Sequence, residues 1–183
     1  MNAIRTLTMV VCLSALAGTA FGQNAGDRPM PLQVGDKAPP VVATWLGRAQ
    51  GKDPSKPDGK TKAYIVAFWT TWCPACPDAV PYLNLIHKDF ARQGVVVMGI
   101  TPEPEAIVRP FLEKPPRMNY AVGADRNGIT SKGYGGGVPG QDFPIPHAFV
   151  VDGKGTVAWS GHPLQKDDPM IDAVRKLVSS RPR

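Results

Sequence analysis

Residues 63–90 limit the fold more than any other stretch of the chain. Ala63 to Trp69 is a nearly continuous apolar run, the pattern of a strand buried on both faces. From Val80 onward, Val80, Leu83, Ile86 and Phe90 recur at helical spacing. Cys73-Pro74-Ala75-Cys76 lies between the two patterns. The sequence therefore predicts a buried strand that ends in two thiols, followed at once by a helix over Cys76 to Phe90. Pro77 suits the first turn of that helix, where a missing N–H costs nothing, and Pro81 is expected to kink it.

That junction implies a chemistry. The first turn of a helix carries unpaired N–H groups and about half a positive charge, which favours an anion. A Cys73 thiolate there is expected to have a pKa below the free value of about 8.5, within the roughly 3.5 to 7.5 seen at such sites. Cys76 is one turn on and is placed to resolve a mixed disulfide formed at Cys73. Two plainer readings compete. A structural zinc site needs four ligands, and His87, His147 and His162 show no ligand spacing. A purely structural disulfide this short closes almost no loop and adds little stability. The redox reading has the strongest support of the three.

The N-terminus bears on this. Arg5, the apolar run Leu7 to Leu16 and the small residues Ala17, Gly18, Ala20 and Gly22 form a signal-peptide pattern over 1–22, with cleavage before Gln23 or, alternatively, after Ala17 or Ala20. The apolar run is short for a membrane span, and Met9-Val10-Val11 lacks the small residue expected before a lipidated Cys12. Of the three cysteines, only Cys73 and Cys76 would remain, in an exported compartment such as a bacterial periplasm where disulfides persist. Residues 23–34 read as a polar, mobile linker, and 35–183 as one domain.

The formal charge of +6 is spread along the chain without interleaved aromatics, so no nucleic-acid partner is expected. No cofactor and no resident metal are expected, nor any stable membrane span after signal cleavage.

The remaining elements come in chain order. A short strand around Val41, Val42 and Trp45 precedes a Lys-, Gly- and Pro-rich loop over 48–62. Val95 to Ile100 is a second buried strand. Thr101-Pro102 offers a helix cap with Pro at the first helical position, and Ile107, Val108, Phe111 and Leu112 make an inner face. Tyr120 to Ala124 is a weak strand, and the glycine-rich 126–142 reads as a flexible surface loop. Ala148 to Val151 and Thr156 to Ser160 form a hairpin. Asp168 caps a last helix, with Met170, Val174, Leu177 and Val178 as its buried stripe. Helices between the early strands imply parallel neighbours, and the hairpin adds an antiparallel pair. The fold class is α/β, with a mixed central sheet flanked by helices.

Trp69-Thr70-Thr71-Trp72-Cys73-Pro74-Ala75-Cys76 resembles the W-A-x-W-C-x-x-C signature of the thioredoxin superfamily, most of all the exported TlpA/ResA-type thiol-disulfide oxidoreductases. Pro81 falls where thioredoxins have their helix-kinking proline. Gly35-Asp36-Lys37-Ala38-Pro39 is similar to the G-x-x-A-P that opens these domains, and Ile145-Pro146 to the family's cis-proline. The likeness covers about residues 33–180. It implies a thioredoxin-like three-layer sandwich. It also implies Cys73 as nucleophile, Cys76 as resolving thiol, and Trp72, Pro74, Ile145 and Pro146 as the substrate-binding surface. The Ile145 backbone would pair with an extended protein segment. Protein disulfides are the implied substrates, with apocytochrome c among them in some relatives, and a membrane-bound thiol donor would re-reduce the pair.

Two departures stand out. The Glu common three residues after the second cysteine is Ala79, and the Asp that thioredoxin places six before the first is Ala67. Asp78 adjoins but points elsewhere, which leaves Glu103, Glu105 or water to handle the Cys76 proton. Two other functions compete. Peroxiredoxins carry P-x-x-x-[ST]-x-x-C; Thr70 matches, but Val66 stands at the proline position. A copper(I) carrier could use both thiolates, with His147 adding a ligand, although His147 is expected to shape the substrate surface instead.

Overall fold

A computed structural model of the chain describes residues 31–49, 53–56, 58–135 and 144–180. The expected signal peptide, the first part of the linker and the stretch 136–143 lie outside the described residues. Six strands form one sheet in the order β1-β4-β3-β2-β5-β6. These are β1 Thr44–Leu46, β2 Ala63–Phe68, β3 Val95–Thr101, β4 Ala121–Ala124, β5 His147–Asp152 and β6 Val157–Gly161. The helices are α1 Cys76–Phe90, α2 Glu105–Leu112, α3 Ile129–Gly135 and α4 Pro169–Ser179. β2 runs parallel to β3, and β3 to β4, whereas β1, β5 and β6 join antiparallel. This is the mixed sheet expected of the α/β thioredoxin-like class.

The apolar run of β2 is continuous because both of its faces are covered. Ile65 and Ala67 point to one side, with Val97, Val150, Leu83 and Ile86 of α1, and Met170 and Val174 of α4. Val66 and Phe68 point to the other, with Met98, Ile100, Phe149, Trp45 and Tyr134. Each large side chain buried this way contributes about 1.5–3 kcal/mol, so β2 is firmly held and a rigid base for the cysteine-bearing turn at its end. α1 spans the expected residues and continues through Pro81. In α4, Asp168 accepts from the Ile171 N–H and caps the helix, with Pro169 in the first turn as expected.

Three expectations are corrected. First, Thr101-Pro102 does not start a helix. Thr101 is the last residue of β3, and α2 begins at Glu105 behind an extended Pro104. The Thr101 hydroxyl accepts from the Glu103 N–H, so it closes a local turn rather than capping a helix. Of the expected inner face, Val108 is fully buried but Ile107 is exposed. Second, part of the expected loop 126–142 is α3. The Asp125 carboxylate accepts from the Thr130 and Ser131 N–H groups and the Ser131 hydroxyl, which starts the helix despite its glycines. Tyr134 is then buried against Phe68 and Phe149. Third, the first strand is only Thr44–Leu46, and Val42 is exposed beside it.

Candidate active site

β2 is where the winding of the sheet reverses. β3 and β4 lie on one side of it, β5 and β6 on the other. In such sheets the crevice at the carboxyl ends of the strands is where ligands gather. The chain leaves β2 at that edge, turns through Thr70, Thr71 and Trp72, and reaches Cys73. Cys76 is the first residue of α1, and the two cysteines form a disulfide with Cα atoms 5.4 Å apart. Ala75 at the helix cap gives no side-chain hydrogen bond, and Pro77 follows in the first turn. The positive end of a 15-residue helix is therefore left to the sulfurs.

The loop before β5 meets the pair from across the sheet. Cys73 Sγ lies 3.8 Å from the Ile145 carbonyl oxygen. In the disulfide this sulfur has no proton, so the approach is a contact and not a hydrogen bond. The Ile145–Pro146 peptide is cis. Ile145 also packs in the apolar cluster that contains both cysteines, Trp69 and Val108. The disulfide is almost covered, with each cysteine 4% exposed, whereas Trp72 is 56% exposed and Pro74 stands out beside it. Cys73, Cys76, Ile145 and Pro146 are thus brought together, and Trp72 and Pro74 lie on the outer side of the same turn.

His147 is not on that surface. It is the first residue of β5, 8% exposed, with Nε2 2.9 Å from Ser160 Oγ and its ring against Phe149. Burial, and secondarily the nearby His162, lowers its pKa to about 4, so the ring is neutral at ordinary pH. His87 is half-buried on α1, and burial with the nearby Arg48 lowers its pKa too. Among the described residues no group of three or more His, Cys, Asp or Glu is gathered as a metal site requires.

Cys76 packs in an apolar cluster with Trp69, Val108 and Val122. Ala67 and Ala79 are both buried, together in a second core cluster, and Asp78 is exposed. Both candidates from the neighbouring loop are engaged by other partners. Glu105 pairs with Arg109. Glu103 accepts from the Thr71 N–H and hydroxyl, each at 2.6 Å, and from the Thr101 hydroxyl at 3.1 Å. Sequence reasoning missed this last arrangement. The signal for it lay in the strand pairing: Phe68 sits opposite Ile100, so Thr71 and Glu103 each fall three residues past a paired position. A cavity of about 290 Å³, lined by Pro39, Tyr64, Met98, Tyr134 and Val151 among others, reaches neither cysteine. The disulfide opens instead beside an exposed tryptophan, a setting suited to a docked chain.

Comparison with known proteins agrees with this geometry. The model of the AhpC/TSA family matches residues 34–160. The chain is 27% identical over 170 residues to thiol-disulfide oxidoreductase ResA of Bacillus cereus, covering 93% of each protein. The thioredoxin domain of a thiol-disulfide oxidoreductase from Bacteroides vulgatus superposes with a TM-score of 0.61 at 22% identity, over 81% of this chain and 99% of that one. The mitochondrial 2-Cys peroxiredoxin of Plasmodium falciparum does so with a TM-score of 0.61 at 19% identity, over 81% and 97%. The two structural likenesses show the fold, and both chemistries use it.

Proposed function

The chain belongs to the AhpC/TSA family, and from that premise we propose that it is a thiol-disulfide oxidoreductase acting on exported proteins, turning over as a reductase. One observation carries the reading: a disulfide between a helix's first residue and the turn before it, with Cys73 Sγ against the Ile145 carbonyl. The relatives named thiol-disulfide oxidoreductase support it.

In the proposed cycle the Cys73 thiolate attacks one sulfur of a substrate disulfide. A Cys73–substrate bond forms, and the other substrate sulfur leaves as a thiolate. The Cys76 thiolate then attacks Cys73 Sγ, and the second substrate sulfur leaves. The substrate gains two electrons and two protons and the protein ends as the Cys73–Cys76 disulfide. A dithiol donor, membrane-bound by resemblance, restores the reduced pair. The end of α1 stabilises the Cys73 thiolate as nucleophile and as leaving group. Ile145 would align an extended substrate segment, and Trp72 and Pro74 would border it. With Ala67 and Ala79 in place of the family's usual carboxyls, the Cys76 proton exchanges with solvent rather than with a buried carboxyl.

The peroxidase alternative has less support. Thr70 is fully buried and its hydroxyl has no hydrogen-bond partner among the described residues, Cys73 Sγ included. Val66, at the proline position of that motif, is a buried residue within β2. Trapping tests the exchange reading. Cys76→Ser, expressed as the full chain, should accumulate covalent adducts that dithiothreitol releases, and Cys73→Ser should form none. A Cys76→Ser protein that carries no adduct sinks the proposal.

A further inference from the structure

The turn that presents Cys73 has little backbone support of its own. Its hydrogen bonds, Cys73 N–H to Thr70 O and Cys76 N–H to Cys73 O, are both 3.4 Å long. The short contacts come from outside the turn. Glu103 Oε2 accepts from the Thr71 N–H and Oε1 from the Thr71 hydroxyl, both at 2.6 Å. On the other side the carboxylate is held by its own strand end. The Thr101 hydroxyl donates to Oε2 at 3.1 Å and accepts from the Glu103 N–H at 3.3 Å. Thr101 is fully buried at the end of β3, and the Trp69 N–H is bonded to the Ile100 carbonyl one residue before it. Both carboxylate oxygens are thus used to tie the end of β2 to the end of β3. Hydrogen bonds to an ionised acceptor are about twice as strong as neutral ones.

What the clamp holds is the docking face. Thr71 directly precedes Trp72, the most exposed aromatic among the described residues, and stands two residues before Cys73. We propose that Glu103 is a positioning residue of the exchange site: its carboxylate holds the Thr70–Cys73 turn so that Trp72 and Cys73 Sγ meet a protein segment together, beside the Ile145 carbonyl. The inference rests on the exchange function proposed above. It separates two classes of reactant. A small dithiol has only to reach one sulfur. A protein chain has to match Trp72, Cys73 and Ile145 at once, so it is the more sensitive to a loosened turn.

The test compares Glu103→Gln, Thr71→Val, their double variant and Thr71→Ser. Two rates are read: reduction of insulin disulfides by the reduced protein, and reduction of the Cys73–Cys76 disulfide by dithiothreitol. Glu103→Gln and Thr71→Val should each lose about tenfold in kcat/KM toward insulin and less than about threefold toward dithiothreitol. The double variant should be little worse than Glu103→Gln alone, because the hydroxyl bond lost in Thr71→Val is one of the two contacts that Glu103→Gln already weakens. Thr71→Ser keeps both donors and should recover the insulin rate. Equal losses in both assays, additive losses in the double variant, or a Thr71→Ser as impaired as Thr71→Val would each overturn the proposal. A wild-type protein that leaves insulin oxidised would instead strike at the exchange reading itself. The clamp is then judged by hydrogen exchange: the Thr71 amide should exchange at least about tenfold faster in Glu103→Gln, and an unchanged rate overturns it.

Discussion

Acidification should weaken this protein chiefly through the His147 imidazole. His147 is 8% exposed, lies opposite Phe68 in the β2–β5 pairing, and contacts Phe149 and Ser160 Oγ. Its folded-state pKa is about 4, against an ordinary 6.5, chiefly because burial disfavours the charged ring. Proton counting gives the sign. Between about pH 6.5 and pH 4 the unfolded chain holds a proton at this position and the folded protein does not, so stability is lost as pH falls. The contribution is fully present above about pH 6.5. At about 1.4 kcal/mol per pH unit, the whole interval is worth roughly 3 kcal/mol, and the part between pH 7 and pH 5 about 2 kcal/mol.

That upper part is the useful one, since most carboxylates have not yet protonated there. The assay is urea unfolding of wild type and His147→Gln at both pH values. Glutamine fills a similar space, can keep a polar contact with Ser160 and carries no titrating group. Wild type should lose about 2 kcal/mol more than the variant between pH 7 and pH 5. His87, also lowered by burial, acts in the same direction but is present in both proteins and cancels. If His147→Gln loses as much stability as wild type over that range, the buried-imidazole argument is wrong.

Two further outcomes are expected. Asp125→Ala removes the acceptor for the Thr130 and Ser131 N–H groups and the Ser131 hydroxyl, all in buried residues. It should cost about 2–4 kcal/mol in urea unfolding, and a loss under about 1 kcal/mol would mean that α3 does not depend on this cap. The Cys73–Cys76 couple, equilibrated against dithiothreitol or glutathione buffers, should have a potential near or below about −230 mV if the protein works as a reductase. A value near about −120 mV would reverse the proposed direction.

The parts of the fold that could be read from the chain were those with a local cause. β2 and α1 arise from an apolar run that changes to helical spacing at the cysteines, and the described elements keep those positions. α4 was legible because Asp168, Pro169 and the apolar stripe lie within one short window. α3 was not. Its glycines argue for a loop, and the forces that oppose them come from an aspartate before the helix and from Phe68 and Phe149, 66 residues before and 15 after Tyr134 in the chain. The start of α2 was misplaced for a related reason: Thr101 has the composition of a cap, but its hydroxyl is occupied by Glu103.

The candidate site divides in the same way. Sequence alone determined that two thiols stand where a strand gives way to a helix, because periodicity and spacing are properties of neighbouring residues. It also carried Ile145-Pro146 through a motif. Only the tertiary structure brought the Ile145 carbonyl to 3.8 Å from a sulfur 72 residues away. It also buried His147 away from the expected substrate surface and set the Glu103 carboxylate against Thr71, 32 residues away. Those outcomes depend on which strands pair and in which register, and that is settled by how both faces of the sheet are buried at once.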